Sequence, residues 1–115
     1  MSDPISVSRR LVAVFAADVE GYSRLMGADE VGTLQGLTER RTILDRIIGE
    51  HRGRIANTAG DSVLAEFGSA VDAVQCAVTA QVALAEANAS AAPDRRIGFR
   101  IGVDMGDVMV RWLRS

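Results

Sequence analysis

The sequence predicts an α+β domain of split βαβ, ferredoxin-like topology, one antiparallel sheet with its helices on one face. Three observations carry this expectation: an apolar run suited to a buried strand, two long segments with helical spacing, and a hairpin pattern between them. Their order, strand, helix, strand, strand, helix, strand, is that of the split βαβ unit. At 115 residues and 48% hydrophobic content the chain holds one core, large enough to fold without a disulfide or structural metal.

Residues 1–9, polar and containing Pro4, read as a loose lead-in. Leu11 to Ala17 is continuously apolar, as expected of a strand covered on both faces, and hands over to Asp18. Asp29 is the expected N-cap of a helix reaching about Gly49, with Leu34, Leu37, Leu44 and Ile48 on its buried stripe and Arg40 and Arg41 on a solvated face. Arg54 to Phe67 reads as two short strands joined by a turn at Ala59, Gly60 and Asp61. From Ser69 to about Asn88, Val71, Val74, Val78, Val82 and Ala85 have helical spacing, and this stripe is expected to face the sheet. Ile97 to Asp104 then alternates, with Ile97, Phe99, Ile101 and Val103 on the apolar face. Asp104 and Asp107 read as turn formers beyond that strand, and Arg100 as a surface residue.

Composition excludes several functions. A net charge of −2 leaves no positive excess for nucleic acid or an anionic membrane surface. All 13 basic residues are Arg, so there is no lysine for Schiff-base or P-loop chemistry. The single cysteine, Cys76, cannot form an intramolecular disulfide and fits a reducing, cytoplasmic setting. No stretch approaches the roughly 20 apolar residues of a membrane-spanning helix. Arg9 and Arg10 before the apolar run could mimic a secretion signal, but Asp18 and Glu20 follow where small neutral residues are needed.

Asp18 and Asp61 each lie where a strand meets a turn of small residues, and the topology places both at one edge of the sheet. Carboxylates brought that close repel unless a cation lies between them, and Mg²⁺ suits hard oxygen ligands. On spacing alone, capping and turn roles for the two aspartates remain open alternatives.

Three motifs sharpen the reading. FAADVEGYSRLM (Phe15 to Met26), NTAGDSVLAEF (Asn57 to Phe67) and FRIGVDMGDV (Phe99 to Val108) together resemble the class III adenylate/guanylate cyclase catalytic domain, in its bacterial branch. The resemblance runs over residues 10–110 and leaves 111–115 as an atypical tail. It implies conversion of ATP, or GTP, to a 3′,5′-cyclic nucleotide and pyrophosphate with two Mg²⁺ or Mn²⁺ ions. Asp18 and Asp61 then match the family's metal aspartates, and Val19 the position whose backbone carbonyl is a further ligand. Glu20, Gly21, Tyr22 and Ser23 match the turn that cradles the triphosphate. Asn57 occupies the place where ATP-using relatives carry a lysine that reads the base. An amide can donate and accept, so Asn57 suits either purine, and ATP is expected over GTP from the resemblance alone.

The resemblance also implies dimeric sites, metal residues from one protomer and transition-state residues from the other, hence a homodimer or a heterodimer with another cyclase domain. The family's transition-state residues lie beyond the point where this sequence ends, so no catalytic residue is assigned and the chain alone is expected to be inactive. Two other functions compete: a non-catalytic module that pairs with a complete cyclase, and a broken gene product.

Overall fold

The structure, a computed structural model, describes the backbone of residues 5–113 and the side chains of residues 11–106. Strand β1 (Ile5–Val19) leads through a short helix α1 (Tyr22–Ala28) into helix α2 (Glu30–Glu50). The hairpin β2 (Arg54–Ala59) and β3 (Ser62–Phe67) follows, then helix α3 (Ala70–Ala89), a 3₁₀ turn (Pro93–Arg95) and strand β4 (Phe99–Leu113). The sheet is ordered β2-β3-β1-β4 and its pairs are antiparallel, the split βαβ arrangement expected.

β1 is the spine of the sheet. Residues Ala13 to Ala17 pair with Phe67 to Val63 of β3, while the other edge runs against β4 from Ile5↔Leu113 to Val19↔Phe99. Both β1 and β4 are longer than the sequence suggested. The expected lead-in at 1–9 already pairs from Ile5, where Ile5-Ser6-Val7-Ser8 alternates with the period of a strand. Pairing reaches Leu113, inside the expected tail at 111–115, and residues 1–4 and 114–115 lie outside the described residues. Asp104 and Asp107 are therefore strand residues opposite Val14 and Leu11, not turn formers.

One face of the sheet carries the core. Ala13, Phe15, Ala17 and Val19 of β1 and Val63, Ala65 and Phe67 of β3 are buried under Leu44, Ile47 and Ile48 of α2 and Ala73, Cys76, Ala80 and Leu84 of α3. The Phe15 and Phe67 rings meet at 5.9 Å between centroids, tilted by 55°. On the opposite face Val12 is buried, but Ala16 and Leu64 are exposed and Val14 is half-buried, so β1 is not covered on both sides along its length as expected. Small apolar residues at alternate positions had masked the period of two.

The helix faces need two corrections. On α2, Leu37, Leu44 and Ile48 are buried as expected and Ile47 joins them, but Leu34 is exposed. On α3 the expected stripe points outward: Val71, Val74, Val78 and Val82 are 52–63% exposed, and the alanine and cysteine side meets the sheet. Both sides of this helix are apolar, so spacing alone could not choose, and the smaller side chains let the backbone approach the strands more closely.

Arg40, expected on a solvated face, is only 5% exposed. Its Nη2 donates to Asn88 Oδ1 at 3.1 Å, the same oxygen accepts from the Ile97 amide at 2.9 Å, and Asn88 Nδ2 donates to the Ile97 carbonyl at 2.8 Å. With Gln81 Nε2 donating to the Phe99 carbonyl at 3.1 Å, α2 and α3 together fix where β4 begins. Asp29 caps α2 as expected, accepting from the Gly32 amide at 3.0 Å. His51 closes the other end, its ring nitrogen 2.8 Å from the Ile47 carbonyl.

Burial pushes the Cys76 thiol up to about 11. At pH 8 only about one thiol in a thousand is then ionised, and the reactive thiolate is shut in the core. A colorimetric disulfide reagent is expected to label Cys76 at least ~100-fold more slowly in the native chain than in denaturant. Immediate stoichiometric labelling of native protein would contradict the packing of α3.

Candidate functional site

The site forms where β1 runs out. Asp18 lies one residue before the end of β1 and directly opposite Arg100 in the β1–β4 register. That pairing lets Arg100 grip the carboxylate with both arms of its fork, Nε to Oδ1 at 2.8 Å and Nη2 to Oδ2 at 3.0 Å. Donating to Asp18, and the charge of that carboxylate, raise the pKa of Arg100 above the ordinary arginine value, with smaller contributions from the Glu20 and Asp61 charges. The guanidinium thus lies in the field of three carboxylates at one sheet edge.

Asp61 reaches this edge from the hairpin. The connection between β2 and β3 is the pair Gly60 and Asp61, and Gly60 takes φ +57, which a side chain would strain. The turn directs Asp61 across β3 to β1, where its Oδ2 accepts from the Val19 amide at 3.0 Å. The structure thus brings the Asp61 carboxylate onto the backbone of Val19, one residue beyond Asp18, although the two aspartates are far apart in sequence.

Asn57 arrives by a different device. The β2–β3 register shifts between Ile55 and Asn57, leaving Ala56 as the extra residue of a β-bulge and setting Asn57 opposite Leu64. Asn57, Leu64, Asp18 and Arg100 all line one cleft of about 450 Å³ on the open face of the sheet. Glu20 to Ser23 lie beyond it. The Glu20 amide donates to the Gly98 carbonyl at 2.8 Å, and Gly21 takes φ +64 at the start of α1. A Cβ there would meet only the Arg24 guanidinium, a flexible end that can move aside, so the positive φ is what calls for glycine. Ser23 is exposed, whereas the Tyr22 ring packs against the core, leaving only its backbone to face a ligand.

The donors at this edge are carboxylate and carbonyl oxygens, a set suited to Mg²⁺ or Mn²⁺. Among the described residues no three His, Cys, Asp or Glu side chains cluster around a metal position. An ion here would rest on Asp18 and Asp61 and take its other oxygens from backbone, water or ligand, as Mg²⁺ commonly does. That Asp18 already holds a cation, the Arg100 guanidinium, is consistent with the fit. Arg100, expected as a surface residue with a nearby acid as the alternative, does meet an acid, Asp18. Its partner is 82 positions away, and only the sheet register brings them together.

The fold is that of nucleotide cyclase catalytic domains. Residues 6–114 match the model of the adenylate and guanylate cyclase catalytic domain, and the chain belongs to that family. It is 50% identical over 106 residues to "Putative adenylate cyclase 3" of Rhizobium meliloti (strain 1021), covering 91% of this chain and 18% of that protein. Among solved structures, it superposes with a TM-score of 0.80 on an adenylate/guanylate cyclase/hydrolase from Silicibacter pomeroyi, at 38% identity over 91% of this chain and 62% of that one. A bacterial light-regulated adenylyl cyclase shares the fold, with a TM-score of 0.82 at 18% identity over 90% of this chain and 32% of its own length. The chain thus spans less than two thirds of these relatives. Among the described residues no helix is long and apolar enough to cross a membrane.

Proposed function

We propose that the chain supplies the metal- and nucleotide-binding half of a cyclase site that converts a purine nucleoside triphosphate to its 3′,5′-cyclic nucleotide and pyrophosphate. The observation that carries this reading is the meeting of Asp61 with the Val19 amide, one residue from Asp18, within a chain of the cyclase family. Asp18, Asp61 and the Val19 carbonyl would hold two Mg²⁺ or Mn²⁺ ions. When bound, such a pair acidifies the ribose 3′-hydroxyl and neutralises the triphosphate.

The other assignments describe what the chain's own groups do. The backbone of Glu20, Gly21 and Tyr22 and the Ser23 hydroxyl receive phosphate oxygens, and Gly21 holds that turn open. Asn57, aimed by its bulge into the cleft beside Asp18, hydrogen-bonds the base edge. Its amide suits either purine, and preference for ATP rests on the 50% identity to a protein named as an adenylate cyclase. The working unit is a dimer, with this chain or another cyclase domain as partner, in the cytoplasm. These 115 residues, spanning 62% of the Silicibacter pomeroyi structure, are proposed to lack turnover alone.

A titration of nucleotide binding in Mn²⁺ tests the site. Asp61→Asn keeps an oxygen for the Val19 amide but removes the charge, so affinity should fall at least about tenfold while the fold is retained. Equal affinities for wild type and variant would remove the proposed site.

A further inference from the structure

Both oxygens of Asp18 are engaged by Arg100 in this structure, at 2.8 and 3.0 Å. A divalent ion that binds Asp18 takes a lone pair from one of those same oxygens, next to a guanidinium whose positive charge repels it. Glu20 and Asp61 add their charges to the same edge, where unneutralised carboxylates would repel one another. We infer that Arg100 is the resident counter-cation of the metal-free site, competing with the divalent ion for Asp18, so that metal binding is an exchange of one cation for another. This inference rests on the reading of Asp18 and Asp61 as metal ligands.

Two features make the exchange feasible. The Arg100 side chain is 65% exposed and that of Asp18 39%, so the guanidinium can leave into water without a large desolvation cost. The backbone under it stays fixed. Arg100 sits in register opposite Asp18, and the start of β4 is tied by Gln81 and Asn88, so departure is a rotation of the side chain and not a movement of the strand. A released Arg100 still lines the cleft that holds Asn57.

The test is a titration of the full 115-residue chain with Mn²⁺ alone, free ion being read by electron paramagnetic resonance and folding by circular dichroism. The proteins are wild type, Arg100→Ala, Arg100→Lys, Asp61→Asn and the Arg100→Ala/Asp61→Asn double variant. Arg100→Ala should bind Mn²⁺ at least about threefold more tightly than wild type, because it loses a competitor worth roughly that of an exposed ion pair. Arg100→Lys, which keeps the charge and loses the fork, should fall between them. Asp61→Asn should weaken binding in both backgrounds.

If Asp61→Asn weakens binding but Arg100→Ala binds no more tightly than wild type, the exchange is wrong and the metal site survives. If Asp61→Asn has no effect in either background, or no protein binds Mn²⁺, the metal reading fails and the exchange with it.

Discussion

Phe15→Ala should destabilise the fold by about 3–5 kcal/mol, a large part of the ~5–15 kcal/mol that holds a domain of this size together. Phe15 is fully buried, packs against Phe67 and lies on β1, the strand to which both β3 and β4 pair. Losing the ring removes its transfer energy and leaves a cavity that rigid neighbours cannot fill, since the β3 and β4 ladders hold the backbone on either side. Urea denaturation should show the loss as a lower midpoint at nearly unchanged slope, and melting should shift by on the order of 15 °C. A change below about 1 kcal/mol would mean that Phe15 is not central to the core. Because Asp18 is three residues further along the same strand, the variant should also loosen the site.

The second large effect is on turnover. On the proposed reading, mixing this chain with a full-length class III domain whose own two metal-position aspartates are replaced by Asn leaves one intact metal half, that of Asp18 and Asp61. The mixed dimer should form cyclic nucleotide from ATP or GTP in Mn²⁺, and Asp61→Asn in this chain should reduce that activity by at least ~100-fold. On the proposed reading the metals held by the two carboxylates would act on charge that develops during reaction, so the loss should appear in kcat as well as in binding. Activity that persists in Asp61→Asn would favour a module that assists its partner without holding the metal.

The sequence carried the parts of the fold that local chemistry determines. Gly60 and Asp61 between two β-patterned segments announced the hairpin, and Asp29 ahead of a helical stripe announced the start of α2. The motif around Asp18 and that around Asp61 placed both residues at strand ends, and the element order put those ends side by side. What was hidden depended on the opposite strand or the opposite layer. α1 follows from Tyr22 and Leu25 packing against the core, a reward invisible in a seven-residue segment with weak helical signals. The bulge at Ala56 follows from register with β3, and without it Asn57 would not stand opposite Leu64. Arg40 looked like an ordinary helix-surface charge until Asn88 came to meet it from the next helix. The valines of α3 were misplaced because hydrophobicity alone does not say which of two apolar faces is flat enough to lie on a sheet.

The fifteen-pair ladder between β1 and β4 makes the site intolerant of one kind of change. Replacing a letter in either strand alters one contact. Inserting or deleting a single residue between Phe99 and the end of β4 would instead rotate every following side chain to the other face. A change just ahead of Arg100 would send its guanidinium under the helices and leave Asp18 facing empty solvent. Gained or lost residues in the stretch from 90 to 96, ahead of the Ile97 anchor, escape that penalty. Along this chain, drift in length is therefore channelled into the loops, while the two strands can vary only in composition.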